Sequence, residues 1–312
     1  MDSSTANAGA LGKNQFVVLL RLLHEPGLSQ RTIAERTGLS VGTVNSSVRQ
    51  LVERGDLEKD ASGNLCVTDL GVRSLEPYRV DNAIILAAGL STRFAPISYE
   101  KPKGLLRVRD EVLIERQIRQ LKEAGIDDIT VVVGYKKEYF FYLEELFGVD
   151  IVVNEHYATR NNHSSLMVVL DRLKRTYICS SDNYFVDNPF DSHEHGAYYA
   201  TQYAKDATDE WCVRLGSGGR IVGVTIGGAD SQIMLGHVFF DEPFSRRMAQ
   251  IIRDEWDLPV TRDKLWENLF IDHIDVLHMV ARPYPAEMIH EFDALDDLRE
   301  FDPTFIENVD SL

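Results

Sequence analysis

One stretch narrows the choice of fold more than any other. It is Ile84-Ile-Leu-Ala-Ala-Gly-Leu-Ser-Thr-Arg-Phe94, followed by Lys103 in Glu100-Lys-Pro-Lys-Gly-Leu-Leu106. Ala83 to Leu86 is an unbroken apolar run bounded by Asn82 and small residues, which predicts a buried strand. The chain then turns through Ala87, Ala88 and Gly89, which carry almost no side chain, so backbone N–H groups can approach a phosphate closely. Arg93 and Lys103 add two cations ten residues apart. Open α/β sheets place their ligands at such a loop, at the carboxyl end of a first strand. The stretch contains neither G-x-x-x-x-G-K-[ST] nor G-x-G-x-x-G, so the P-loop and dinucleotide fingerprints are absent from it.

The chain has 312 residues, too many for one ordinary small domain. Charge divides it. Residues 1–80 carry nine Lys/Arg and nine Asp/Glu, whereas residues 81–312 carry 24 against 40, the whole net charge of −16. That acidity argues against nonspecific binding of nucleic acid or anionic membrane by the larger part. An anionic ligand there has to be met by a local cluster of cations and a divalent metal. No apolar run reaches membrane-spanning length, the start lacks a secretory pattern, and Cys66, Cys179 and Cys212 have neither disulfide nor zinc spacing. These features predict a cytoplasmic protein with an amino-terminal tail over 1–11, a small domain over 12–80 and a larger one over 81–312.

The small domain reads as three helices and a hairpin. Phe16, Val17, Leu19, Leu20, Leu22 and Leu23 have helical spacing; Ser29 and Ser40 stand where N-caps are expected. Two short strands around Gly63-Asn64 follow, then Val67-Thr-Asp-Leu-Gly-Val72. The arrangement resembles the winged helix-turn-helix group, whose post-wing "L-T-x-x-G" this last phrase is similar to. The resemblance implies that Ser40–Arg54 is a recognition helix offering Ser40, Thr43, Asn45, Ser46 and Arg49 to duplex DNA. The neutral charge of this domain leaves dimerisation or docking as the competing role, with a homodimer as one outcome.

In the larger domain, helix and strand alternate as in a doubly wound sheet: Val112–Ala124 helical, Ile129–Tyr135 a central strand, Lys136–Phe147 helical, Val149–Asn154 a strand, Ser164–Leu173 helical. The phosphate loop is similar to the L-A-A-G-x-[GS]-[TS]-R signature of the nucleotidyltransferases, with their downstream P-K. Asn154-Glu-His-Tyr and Arg160-Asn-Asn-His-Ser-Ser-Leu166 resemble, more narrowly, the bacterial LicC-type CTP:phosphocholine cytidylyltransferases and their close relatives. The fold class implied is α/β: a doubly wound mixed sheet of Rossmann-like character, preceded by the small winged helix-turn-helix domain.

What that resemblance implies about the site can be set out by residue. Leu86, Ala87, Ala88, Gly89, Arg93, Tyr135, Asn154, Asn162, Ser165 and Ser181 surround the nucleotide. Asn162 and Ser165 lie on the base side, since Asn and Ser both donate and accept; a plain capping role for Asn161-Asn162 is the alternative. Lys103 and Arg93 are catalytic, acting on the transferring group and on the departing pyrophosphate. Asp182, closing Thr176–Phe185, and Asp293, in Glu291-Phe-Asp-Ala-Leu-Asp-Asp-Leu298, hold Mg2+. Strands over Ala197–Tyr203, Trp211–Leu215, Ile221–Ile226 and Gln232–Phe240 carry the acceptor side, with helices over Pro243–Trp256 and Thr261–Ile271. Tyr199, Trp211, Trp266 and Glu267 are the candidates for a cage around a quaternary ammonium. The reaction implied is CTP + phosphocholine → CDP-choline + pyrophosphate. Other acceptors (2-aminoethylphosphonate, phosphoethanolamine or a sugar phosphate) and a DNA-binding regulator sensing CTP or CDP-choline are the competing expectations.

Overall fold

The structure is a computed structural model describing residues 9–95, 97–292 and 294–305. The chain divides into two compact units, Met1–Arg79 and Val80–Leu312.

In the first unit, helices Lys13–His24, Gln30–Thr37 and Val41–Arg54 precede paired strands Leu57–Lys59 and Leu65–Val67 and a helix Asp69–Leu75. The caps are those the serines predict: the Ser29 and Ser40 hydroxyls accept from the N–H groups of Thr32 and Thr43, each at 3.1 Å. Thr68 ties the wing to the last helix, donating to the Gly55 carbonyl at 2.7 Å and accepting from the Gly71 N–H at 3.1 Å. Gly71 has no alternative, because a Cβ there would lie 2.3 Å from the Asp56 carbonyl oxygen. Two boundaries differ from the sequence expectation. Leu11, placed in the tail, packs into the helical core, and its carbonyl accepts from the Tyr78 hydroxyl at 3.1 Å. Tyr78 is likewise core of this unit, whereas Val80, expected in the small domain, is core of the next.

The second unit is built on one mixed sheet. Across it run Ile221–Gly228, Thr208–Leu215, Ser231–Phe240, Thr176–Ser180, Asn82–Ala87, Ile129–Val133 and Asp150–Val153. The last four are mutually parallel, and Ser231–Phe240 joins them antiparallel. Tyr198–Ala204 pairs with both Ser231–Phe240 and Val280–Pro283. The apolar runs are unbroken because both faces are covered. Ile85, Val131 and Cys179 face one core with Ile114, Ile118 and Leu121 of helix Leu113–Glu123. Ile84, Val132 and Ile178 face the other, with Phe244, Met248 and Ile252 of helix Glu242–Glu255. Each such isoleucine stabilises the fold by about 1.5–3 kcal/mol relative to exposure. No described helix is long and apolar enough to cross a membrane.

Strand order fixes the site. From Asn82–Ala87 the chain proceeds to Ile129–Val133 on one side and returns to Thr176–Ser180 on the other. The carboxyl ends on either side of that reversal leave a crevice. Three helices expected from sequence are shorter. Lys136–Phe147 resolves into a 3-10 turn Lys137–Phe140 and a helix Tyr142–Phe147; Ser164–Leu173 into a helix His163–Met167 and a turn Leu170–Arg172; Thr261–Ile271 into a turn Pro259–Thr261 and a helix Trp266–Asp272. In the second case the break falls at the β-branched pair Val168-Val169, where Val169 leaves helical geometry at φ −131°.

Candidate active site

A cavity of about 340 Å³ occupies the crevice. Its floor is the end of Asn82–Ala87 and the loop Ala88–Ser91. Its walls are Pro102–Gly104, Ser180–Asp182, and the segment from Asn154 through Ser165. Leu86, Ala87, Ala88, Gly89, Lys103, Asn154, Asn162, Ser165, Ser181 and Asp182 all line it; Arg93 and Tyr135 do not. Arg93 sits exposed in a 3-10 turn, Thr92–Phe94. Tyr135 stands beside the loop, its N–H donating to the Ala88 carbonyl at 3.3 Å. The left-handed residue of the loop is Ser91 (φ 50°). Gly89 instead borders open space: a Cβ there would meet nothing within 4 Å.

One end of the cavity carries opposite charges in contact. Lys103, buried and 4.7 Å above the Phe94 ring, donates from Nζ to Asp182 Oδ2 at 2.8 Å. Asp182 Oδ1 is buried with no hydrogen-bond partner. A buried acceptor in this state costs about 1–3 kcal/mol unless a ligand meets it. The turn bearing Asp182 is held rigidly. Gln117 donates from Nε2 to the Ser180 and Asn183 carbonyls, both at 2.8 Å. Gly104 lies so close that a Cβ would come within 2.9 Å of the Ser181 side chain. Gln117 was detectable in the sequence as an amide interrupting the apolar stripe Ile114, Ile118, Leu121.

The segment at the other end is braced by hydrogen bonds. The Asn154 amide donates to the hydroxyls of Ser164 (2.8 Å) and Ser165 (3.1 Å) and accepts from the His156 N–H (2.8 Å). Asn162 makes no cap. Its oxygen accepts from the Trp266 N–H at 2.7 Å, and its nitrogen donates to Glu267 Oε2 at 3.1 Å. Gly134 is required here, since a Cβ would lie 2.7 Å from the Tyr157 ring and 2.8 Å from the Ala88 carbonyl.

The acceptor candidates are arranged differently from an open cage. Tyr199 and Trp266 are buried and stack on each other, ring centres 5.9 Å apart and planes at 21°. The Tyr199 hydroxyl donates to Glu267 Oε1 at 3.4 Å. Trp211 lies half-buried on Thr208–Leu215. None of the four lines the 340 Å³ cavity. Glu267 is partly exposed as a residue, yet its carboxyl group is enclosed; burial pushes its pKa up to about 7, against the opposing bonds from Asn162 and Tyr199.

Can a divalent cation be held here? Among the described residues no group of three or more His, Cys, Asp and Glu is gathered for one, and Asp293 lies outside them. The unpaired Oδ1 of Asp182 nevertheless fits the hard oxygen donor that Mg2+ prefers. The Phe292 N–H donates to the Asp182 carbonyl at 3.4 Å, bringing the chain just ahead of Asp293 to the same turn.

A doubly wound sheet with a small-residue loop, a buried lysine and a strand-end aspartate at its switch point defines a nucleotide-binding transferase site. Residues 83–266 match the MobA-like NTP transferase domain, and residues 11–55 the winged helix-turn-helix DNA-binding domain. The chain therefore belongs to the MobA-like NTP transferase family: it is a nucleotidyltransferase carrying a winged-helix domain in front. It is 36% identical over 220 residues to the choline-phosphate cytidylyltransferase of Streptococcus pneumoniae, spanning 70% of this chain and 96% of that one. It is 35% identical over 229 residues to the 2-aminoethylphosphonate cytidylyltransferase of Lancefieldella rimae, spanning 72% and 93%. The solved CTP:phosphocholine cytidylyltransferase of Streptococcus pneumoniae superposes with a TM-score of 0.69, covering 72% of this chain and 98% of that structure. Enzymes of this family generally work with a divalent metal.

Proposed function

We propose that the protein transfers CMP from CTP to phosphocholine, giving CDP-choline and pyrophosphate. The observation that carries this reading is the near-complete coverage of the Streptococcus pneumoniae enzyme at 36% identity, over the unit that holds the cavity. The chemistry suits the residues. An acceptor phosphate oxygen attacks the α-phosphorus in line, and the protein's task is positioning and charge neutralisation. Lys103 stabilises charge on the transferring group, while the Ala88–Gly89 amides hold the departing phosphates. Asp182, with Asp293 as the expected second ligand, would hold Mg2+, which supplies further neutralisation of phosphate charge.

A second acceptor has its own support. The Tyr199–Trp266 stack leaves fewer open ring faces than a choline cage needs, which favours a primary ammonium such as that of 2-aminoethylphosphonate. The relative from Lancefieldella rimae points the same way. The winged helix supports duplex DNA as a further partner. Asn45 and Arg49 are exposed on Val41–Arg54, whereas Ser40 and Thr43 are engaged in its cap. A cytoplasmic enzyme-regulator would use both units.

The test is pyrophosphate release with Mg2+, crossing four nucleoside triphosphates with phosphocholine, phosphoethanolamine, 2-aminoethylphosphonate and glucose 1-phosphate. Release with CTP and phosphocholine is expected. Release with CTP and a different acceptor alone would keep the mechanism and replace the acceptor. CTP binding without release for any pair would favour a sensor.

A further inference from the structure

The end of the cavity away from Lys103 holds a cation with no role in the reading above. Arg160 lines the cavity, and Trp256 fixes it there. Its guanidinium lies 3.9 Å above the Trp256 ring, and Nη1 donates to the Trp256 carbonyl at 2.8 Å. Both interactions hold the planar fork in one orientation and leave Nε and Nη2 as donors.

Two further observations say what that fork meets. First, the neighbouring amides are engaged. Asn154 and Asn162 are bonded as described, and Asn161 donates from Nδ2 to the Asp263 carbonyl at 3.1 Å and accepts from the Asn162 N–H at 2.8 Å. Second, Arg160 follows Asp150–Val153, three strand steps across the sheet from Thr176–Ser180, which carries Asp182. At about 4.8 Å per step that is roughly 14 Å, so a nucleotide with its α-phosphate at Lys103 and Asp182 turns its nucleoside toward Arg160.

We propose that Arg160, held by Trp256, selects the cytosine base by donating to its adjacent O2 and N3 acceptors. An arginine only donates. Cytosine offers two neighbouring acceptors on that edge, whereas uracil puts an N3–H beside O2 and leaves one donor facing another. A site with fixed donors rejects a ligand that leaves them unpaired. Trp256 is the positioning residue. The inference rests on the cavity being the nucleotide site, but not on which acceptor is used.

The test is calorimetric titration of the full chain with CTP and with UTP in Mg2+, for wild type, Arg160→Ala, Arg160→Lys, Trp256→Ala and Trp256→Phe. Wild type should bind CTP at least about tenfold more tightly than UTP, and Arg160→Ala should weaken CTP by about that factor while changing UTP less than about twofold. Arg160→Lys, which keeps the charge but not the fork, should also lose the preference; it decides the matter if Arg160→Ala does not fold. Trp256→Ala should reduce the preference and Trp256→Phe restore it. Equal weakening of CTP and UTP, an unchanged CTP affinity in Arg160→Ala, or a wild type indifferent to the base would overturn the proposal. A wild type that prefers CTP yet releases no pyrophosphate with any acceptor contradicts the transferase reading and leaves this one standing.

Discussion

The two sides of the catalytic edge are built on opposite terms. At Asp182 a buried carboxylate oxygen has no partner, and a cavity opens beside it. At Tyr199, Trp266 and Glu267 the rings cover each other, and the carboxylate takes hydrogen bonds from Asn162 and Tyr199. Both regions are rich in the residue types that bind substrates. Only the first is incomplete, and incompleteness is what a ligand can relieve. The second braces the nucleotide wall through Asn162 whether or not it also touches an acceptor.

Substitutions can break this contrast, beginning where the effect should be greatest. Asp182→Asn and Lys103→Ala should each lower the rate of pyrophosphate release by at least about a hundredfold, with the thermal midpoint little changed. A variant of either that keeps a tenth of the wild-type rate would place the chemistry elsewhere. Gly134→Ala comes next. The added Cβ at 2.7–2.8 Å from Tyr157 and Ala88 must displace one wall of the cavity, so the KM for CTP should rise several-fold and stability fall by about 1–3 kcal/mol.

Glu267→Gln should act mainly on stability and its pH dependence. The folded carboxyl, raised from 4.5 to about 7, keeps its proton where the unfolded chain has lost it. Folding then takes up a proton between those values, so stability declines as pH rises through the window and levels off above about 7. The glutamine variant should flatten that slope in a plot of thermal midpoint against pH, with turnover reduced only a few-fold. An unchanged slope would show that the carboxyl does not titrate in this range. The smallest effect on turnover belongs to Gly71→Ala. It should disrupt the winged-helix unit, because its Cβ would meet the Asp56 carbonyl at 2.3 Å, and abolish any DNA mobility shift while pyrophosphate release persists.

What the sequence disclosed, and what it withheld, follows from range. The phosphate loop, the serine caps, the wing and the apolar strands depend on neighbours a few positions away, so their residues carry the signal locally. The hydrogen bonds of Asn162 to Trp266 and Glu267 cross 104 and 105 residues, so nothing local to Asn162 announces them. The grip of Trp256 on Arg160 spans 96 residues, and the tightness at Gly134 comes from Tyr157 in the segment after the next strand. Asp293 lies outside the described residues, so its pairing with Asp182 stays a reading of the motif. Exposed Arg93 shows the opposite limit: a cation close in sequence to the loop is not among the residues facing the cavity.

The proposed cytidylyl transfer to phosphocholine can be read by phosphorus-31 NMR of the full chain incubated with Mg2+, CTP and equal amounts of phosphocholine and 2-aminoethylphosphonate. The expected spectrum shows loss of the CTP signals and the appearance of pyrophosphate and the paired resonances of CDP-choline, with none of these changes in Asp182→Asn. Consumption of the phosphonate signal with phosphocholine left intact, or CTP unchanged throughout, would contradict it.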